Sequence, residues 1–254
     1  MTLVVGSVRR RAVTTTAALL CASLLAWIVT VQRMRGMDAG PGTDLGGLGW
    51  YLGIWVTMTA AMMLPSAAPM VLAYASFSRS RRSGTFVAGY LAAWTLFGLA
   101  AYGVYRLVAG AGLDWLHWER GGPYVAGAAL AAAGLYQLTP LKEVCLRHCR
   151  GPLRYLVRGW REGRLGALRM GAEHGLFCVG CCWGLMLALF ALGVMSLFWT
   201  AVAAAVIFAE KVLPQGPRLT RVLAAALVAL GLLVALSPGR VPALTQPAPM
   251  EMSP

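Results

Sequence analysis

Charged residues are scarce in this sequence, and acidic residues are scarcer still. Only 12% of the 254 residues are charged, with nine Asp and Glu against 22 Lys and Arg, whereas soluble globular proteins carry roughly 25%. So low a share indicates a chain whose solvent is mostly lipid. In such a chain, an acidic residue at a membrane boundary is a candidate functional group.

Two further absences argue against whole classes of function. The sequence contains no Walker-type phosphate-binding loop and no large soluble domain, which argues against an ATPase motor. The net charge of +13 is not gathered in one basic patch or tail, because the Lys and Arg residues lie between apolar runs. That distribution argues against nucleic-acid binding and is typical of the positive-inside rule, by which Lys and Arg hold loops in the cytoplasm.

Long apolar runs are abundant. Hydrophobic residues make up 59% of the chain, and a run of about 20 apolar residues can cross a bilayer as a helix. We predict an all-α, polytopic transmembrane helix bundle with about seven spans, over residues 12–31, 50–77, 84–107, 123–139, 175–193, 196–213 and 219–236. The first run is too long for a signal peptide and has no cleavage site after it, so we predict a retained helix. Pro65 and Pro69 predict a kink or a break in the second span.

The positions of Lys and Arg also predict the orientation of the chain. If the N-terminus is cytoplasmic, 17 of these residues lie in cytoplasmic loops and five lie on the opposite side. The sequence therefore predicts an N-in/C-out, multi-pass protein of the cell inner (plasma) membrane. Residues 1–236 form one predicted transmembrane domain. Residues 237–254 are rich in Pro and Ala, have too little to bury, and are predicted to be disordered.

The longest loop, about residues 140–172, is basic and lies on the predicted cytoplasmic side. Leu153, Leu156, Val157 and Trp160 recur there at helical spacing, with arginines between them. We predict an amphipathic helix that lies on the anionic inner leaflet of the lipid bilayer. The alternative is that these arginines only set the topology and contact lipid.

Five of the six cysteines fall in two short clusters at the predicted cytoplasmic boundary, one after the fourth span and one at the start of the fifth. Residues three and four apart share a helix face, so each cluster predicts a one-sided stripe of ligands. Thiolate and imidazole ligands favour zinc, copper(I) or iron–sulfur chemistry over magnesium or calcium. The alternative is that these cysteines are small packing residues. The predicted metal ligands are Cys145, His148, Cys149, His174, Cys178, Cys181 and Cys182.

A second set of residues is predicted to have an accessory role at the metal site. Thioethers in the second span suit copper(I), although methionine is also common helix filler. Glu210 ends the sixth span. Its predicted partner is Lys211, Arg218 or the metal cluster, and the alternative is a simple ion pair at the helix end. Glu173 has a second explanation, because a carboxylate is favourable near a helix N-terminus. The predicted accessory residues are Met58, Met62, Met63, Glu173 and Glu210.

Several short motifs in the chain resemble those of one bacterial family. They are MMLPS at residues 62–66, YQLTPLK at 136–142, C-x2-H-C-R at 145–150, E-H-G-x2-C-x-G-C-C-W at 173–183 and EK at 210–211. The family is catalogued as a domain of unknown function and described as predicted metal-binding integral membrane proteins. The resemblance covers about residues 50–214 and implies a metal site in a membrane protein. It implies no particular metal, substrate or partner.

We predict a membrane metal-handling protein that binds a soft metal, copper(I) in preference to zinc, at a cytoplasm-facing Cys/His site. It would serve transport, or delivery to a metalloenzyme. One alternative is a membrane thiol–disulfide or redox protein, because Cys178 and Cys181 have the spacing of a dithiol pair. Another is an assembly or scaffold subunit held by a structural zinc clip. No catalytic residue is predicted, a non-enzymatic role is favoured, and the predicted partners are the bilayer and a metallochaperone or metalloenzyme.

Overall fold

A computed structural model describes residues 2–35, 44–78, 82–112, 120–193, 196–213 and 216–241. Within these ranges the chain is almost entirely α-helical and contains no strand, which confirms the predicted all-α fold. The helices are α1 (Thr2–Met34), α2 (Leu48–Phe77), α3 (Arg82–Gly110), α4 (Gly122–Gln137), α5 (Pro140–Arg150), α6 (Pro152–Gly159), α7 (Gly163–Leu192), α8 (Leu197–Val212) and α9 (Gly216–Leu236). A short 3-10 helix, Pro238–Arg240, follows α9. Most of the predicted disordered tail, residues 242–254, lies outside the described ranges.

A helix occupies each of the seven predicted spans, and five of these helices are long and apolar enough to cross a membrane. The five segments are Arg10–Met34, Leu48–Phe77, Arg82–Gly110, Gly163–Leu192 and Arg218–Leu236. Helices α4 and α8 have 16 residues each, or about 24 Å at 1.5 Å per residue. They are therefore shorter than the hydrocarbon core of a bilayer, which is about 30 Å thick. The number of crossings and the orientation stay predictions.

Helix α2 continues through Pro65 and Pro69, so of the predicted kink or break the break is wrong, and the kink stays a prediction. A proline has no amide hydrogen, and Pro65 therefore leaves the Ala61 carbonyl without its usual helical donor. The Ser23 hydroxyl of α1 donates to this carbonyl at 3.1 Å. A neighbouring helix thus satisfies the backbone group that the proline frees, which is how membrane helices tolerate proline.

Helix α7 begins at Gly163, well before the predicted start of the fifth span at residue 175. Its first turns were predicted to belong to the loop, but they are helical, and from Leu168 onward the helix packs on α3. The rest of that predicted loop is helical too, as α5 and α6. The predicted apolar face of α6 is partly buried and partly exposed. Leu156 is buried within the protein, whereas Leu153 and Val157 are exposed.

Helices α3 and α7 approach each other closely through glycines. A Cβ atom on Gly89 would collide with the backbone of α7, and one on Gly171 would collide with the carbonyl of Phe86. Further along, a Cβ atom on Gly175 would lie 2.7 Å from the Cβ of Ala93. Residue numbers therefore rise together along the contact, which means that α3 and α7 run parallel.

Helices α4 and α9 form a second close glycine contact. A Cβ atom on Gly127 would lie 2.5 Å from the carbonyl oxygen of Gly231, and one on Gly134 would lie 2.8 Å from that of Ala224. Here the residue numbers rise along α4 and fall along α9, so these two helices are antiparallel. Small residues that allow such close backbone contact are typical of helix packing in membranes.

Candidate metal centre

The two cysteine clusters meet where α5 packs on α7. The Sγ atoms of Cys149, Cys178 and Cys181 are buried and all lie within 4.8 Å of one another. The Sγ atom of Cys181 lies 3.7 Å from that of Cys149 and 3.4 Å from that of Cys182. Four of the predicted ligands, Cys149, Cys178, Cys181 and Cys182, therefore form one group, called the thiol cluster below.

Local helix geometry explains how α7 supplies most of this cluster. Cys178 and Cys181 are three residues apart and so share a helix face, and the Cys181 thiol donates to the Cys178 carbonyl at 3.2 Å. Cys149 comes from α5, which starts sharply because Pro140 lies in its first turn and the Thr139 side chain accepts from the amide of Lys142. A cap of this kind fixes where a helix begins.

Cys145 lies beside the thiol cluster but is not one of the converging thiols. Its Sγ atom would be 2.6 Å from a Cβ on Gly180, so α5 can approach α7 here only because residue 180 is glycine. The Tyr136 hydroxyl donates to the Gly180 carbonyl at the same place. Burial raises the pKa of the Cys145 thiol.

The two predicted histidine ligands have very different surroundings. His148 is partly exposed, its Nδ1 atom lies 2.9 Å from the Val144 carbonyl, and its ring stacks on Phe177 at 4.1 Å between centroids. His174 is buried and stacks on Tyr90 at 5.7 Å, and its Nδ1 atom has no hydrogen-bond partner among the described residues. His174 lies one helical turn before Cys178, on the face of α7 that carries the thiol cluster, but it is not among the described ligand atoms that converge within 4.8 Å.

Lys211 is a functional candidate that the sequence presents only as a neighbour of Glu210. Its Nζ atom lies 2.9 Å from the Sγ atom of Cys178 and 3.1 Å from the Ser66 hydroxyl, and the Tyr90 hydroxyl lies 3.0 Å from the same sulfur. The ammonium group places a positive charge against this sulfur, which stabilises a thiolate electrostatically. The available signal in the sequence is a lysine at the end of an apolar run.

Glu210 is buried and lies in a separate network. Both of its carboxylate oxygens accept from the Lys142 ammonium at 2.8 Å, and the Thr220 hydroxyl donates to it at 3.3 Å. Lys142 also donates to Gln137. The partner of Glu210 is therefore Lys142, and not Lys211, Arg218 or the thiol cluster as considered from the sequence.

The other predicted accessory residues are placed as follows. The Glu173 carboxylate pairs with Arg161 and Arg169, each at 3.1 Å, and is partly exposed. Met58, Met62 and Met63 are buried in α2 and belong to the same apolar core as the cysteines. Met62 and Met63 lie about one turn before Ser66, whose hydroxyl contacts Lys211.

Comparison with known proteins identifies a matching family. The family described as PpoB2, copper chaperone, matches residues 52–234. The matched residues include the whole thiol cluster, both histidines beside it and Lys211. No curated protein and no solved structure matches the chain significantly.

Proposed function

We propose, from the premise that this chain belongs to the family described as PpoB2, copper chaperone, that it binds copper(I) at the thiol cluster and passes it to another protein. The observation that carries the proposal is the convergence of the Cys149, Cys178 and Cys181 sulfurs within 4.8 Å. Thiolates bind metals through bonds of roughly 2.3 Å, so three sulfurs around one ion lie about 4 Å apart. The observed spacing fits such an ion.

The residues around the cluster support a soft, thiophilic cargo. Sulfur ligands favour copper(I) or zinc over hard cations, and no carboxylate belongs to the described thiol cluster. His174 lies on the same helix face, and its Nδ1 atom, which has no hydrogen-bond partner among the described residues, is the further ligand that we propose. The buried thioethers of Met58, Met62 and Met63 favour copper(I) over zinc, because a neutral sulfur is a softer ligand than imidazole or carboxylate.

The charge of Lys211 also fits a cargo site. Thiolates buried in a membrane protein are costly unless a positive charge accompanies them, and Lys211 lies 2.9 Å from Cys178. Lys211 therefore still balances the charge of a thiolate when the metal has left. This suits a protein that must release its metal. We propose that the site faces the cytoplasm of an inner-membrane protein and that the recipient is a metalloenzyme.

The contact between Lys211 and Cys178 also favours a second candidate function, a thiol–disulfide or redox protein. A thiolate held by a lysine is the reactive form of a redox dithiol, and Cys149 and Cys181 are 3.7 Å apart across two helices. Such a protein needs an electron acceptor, for example a quinone. A thiol state that responds to a quinone, in protein that binds no metal, would favour this candidate.

The first test is elemental analysis of detergent-purified protein that is kept anaerobic and reduced. We expect about one copper per chain after reconstitution with copper(I), and loss of that copper in Cys149→Ser and in the double variant Cys178→Ser/Cys181→Ser. Cys21→Ser is the matched control, because Cys21 is an exposed cysteine on α1, and it should keep the metal.

The possible results separate the functions. Binding of zinc in preference to copper(I) would favour the structural zinc clip. Binding of neither metal would contradict the proposal. Copper that leaves the protein for a competing thiol within minutes would support a chaperone, whereas copper that does not exchange would indicate a static site.

A further inference from the structure

A cleft lies between α5, α6 and α7, the first and last of which also carry the thiol cluster. Its volume is about 390 Å³, and its lining includes Arg147, His148, Arg154 and Phe177. Two of these residues are direct neighbours of cluster cysteines, because His148 precedes Cys149 and Phe177 precedes Cys178. The volume is typical of sites for small molecules, which run from roughly 300 to 1,000 Å³.

His148 is oriented in this cleft as a metal ligand would be. A carbonyl oxygen can only accept, so the Nδ1 atom, 2.9 Å from the Val144 carbonyl, carries the proton in the neutral ring. The Nε2 atom is then left with a free lone pair, which is the usual arrangement for histidines that bind metals. Stacking on Phe177 at an interplanar angle of 2° fixes the ring.

The charge of the cleft disfavours a free cation as its natural occupant. Arg147 and Arg154 line it, and none of the described lining residues is acidic. Arg147 also pairs with Glu143, but both side chains are exposed, and such pairs contribute only about 0–1 kcal/mol and exchange readily. A positive cleft repels a free copper ion and attracts an anionic carrier.

We propose that this cleft receives copper(I) as a complex with a small thiol that carries carboxylates, as glutathione does. This inference rests on the proposed function, because it names the form in which the cargo arrives. The cleft is of a size for a small peptide and not for a folded domain. Carboxylates of the carrier pair with Arg147 and Arg154, and the copper comes within reach of His148.

The transfer is a ligand exchange without electron transfer. A copper–sulfur bond to the carrier breaks as a bond to Nε2 of His148 forms. The Cys149 sulfur then replaces this nitrogen, and the proton of the Cys149 thiol passes to the released carrier thiolate. Copper stays in the +1 state throughout, so no oxidant or reductant is needed.

The test compares two sources of copper(I) for the purified full-length protein in detergent. One source is the glutathione complex, which is anionic, and the other is the acetonitrile complex, which is a cation. Copper on the protein is measured after rapid gel filtration at timed intervals. The variants are Arg147→Gln/Arg154→Gln and His148→Phe, which keeps an aromatic ring against Phe177. The matched control is Arg221→Gln, since Arg221 lines a second cleft, which shares Arg147 with the first, but does not line the first cleft itself.

We expect the double arginine variant to load from the glutathione complex about tenfold more slowly than wild type at low salt. High salt should slow the wild type in the same way. Loading from the cationic acetonitrile complex should not become slower, and the final copper per chain should not change. His148→Phe should also slow loading from the glutathione complex and keep the final copper content. Arg221→Gln should behave as wild type.

Three outcomes would overturn the inference. Unchanged loading of the arginine variant from the glutathione complex would show that the cleft does not receive this carrier. Slower loading of that variant from both sources would show that the arginines act through the structure. Unchanged loading of His148→Phe would remove the histidine from the route. Failure of wild type to retain copper from the acetonitrile complex is different, because it would contradict the proposed function itself.

Discussion

The buried ion pair of Lys142 and Glu210 shows how much a single residue contributes to the stability of this protein. Each is almost fully buried, and their ion pair joins α5 to α8. Replacing Lys142 alone with Met leaves the Glu210 carboxylate buried without its partner, which typically costs about 3–5 kcal/mol. We expect Lys142→Met to lower the free energy of unfolding by that amount, as measured by denaturant titration in detergent.

The double variant Lys142→Met/Glu210→Met distinguishes an ion pair from simple packing. Replacement of both partners by apolar residues removes the uncompensated charge, and such exchanges are often neutral. The double variant should therefore recover at least half of the lost stability, although Gln137 and Thr220 lose a partner. Equal loss in the single and double variants would show that the charge itself is unimportant.

Ser23 donates a hydrogen bond to a backbone carbonyl, and the contribution of this bond to stability can also be tested. Its hydroxyl satisfies the Ala61 carbonyl that Pro65 leaves free, and an unsatisfied buried carbonyl costs about 1–3 kcal/mol. We expect Ser23→Ala to reduce stability by this amount in thermal unfolding. Ser76→Ala is the matched control, because its hydroxyl bonds an exposed carbonyl of its own helix, that of Ala73, and should have little effect.

A proline variant checks the cause of the Ser23 effect. Pro65→Ala restores an amide donor to the Ala61 carbonyl. In that background, Ser23→Ala should cost clearly less than in the wild type. An equal cost in both backgrounds would mean that Ser23 acts by packing and not through this carbonyl.

Some features of the site could be predicted at the residue scale, and others could not. The spacing of Cys178, Cys181 and Cys182 within one helix predicts a shared site, because helical periodicity fixes which side chains are neighbours. The contact of Lys211 with Cys178 and that of Lys142 with Glu210 join different helices. Such pairs depend on how the helices rotate and pack, which one sequence does not specify.

At the scale of whole elements, the close crossing of α3 and α7 holds α7 in position. Gly171 has no room for a Cβ atom because the Phe86 carbonyl lies against it. We expect Gly171→Ala to force the helices apart and to cost about 1–3 kcal/mol, as overpacking usually does. Thermal unfolding of the purified protein in detergent measures this loss.

The matched control for Gly171 is another glycine of the same helix pair. A Cβ atom on Gly103 of α3 would meet nothing within 4 Å, so Gly103→Ala should not destabilise the protein. If Gly171→Ala were as harmless as Gly103→Ala, the glycine crossing would not be a determinant of stability. Gly171→Ala should also lower copper binding, because α7 carries Cys178 and Cys181 and α3 carries Tyr90.

The elements themselves were largely predictable, because apolar runs of about 20 residues identify helices in a lipid-exposed chain. Two details were not. Helix α7 starts at Gly163, and its contact with α3 at residues 168–172 lies next to basic residues whose polarity conceals it in the sequence. Helix α2 remains whole at Pro65 because Ser23, more than forty residues away, supplies the missing donor.

At the scale of the whole molecule, the directions of the helices bear on how often the chain crosses the membrane. If only the five long helices crossed, α3 and α7 would be consecutive crossings and would run antiparallel. They run parallel, and α4 lies antiparallel to α9. Parallel α3 and α7 require one crossing between them, and α4 is the only described helix in that interval with a predominantly apolar sequence. The directions thus favour seven crossings, with α4 and α8 as short ones.

The two topologies differ in the side of the membrane on which α7 begins. With a cytoplasmic N-terminus, seven crossings place Arg164, in the first turn of α7, in the cytoplasm, whereas five crossings place it outside. Both topologies place Arg240 outside. The side chains of Arg164 and Arg240 are exposed. In a Cys21→Ser background, we expect a membrane-impermeant maleimide on intact cells to label Arg240→Cys but not Arg164→Cys, which should be labelled only in inverted vesicles. Labelling of Arg164→Cys on intact cells would contradict seven crossings. It would also place the thiol cluster near the outer face, where a carrier from the reducing cytoplasm could not reach His148.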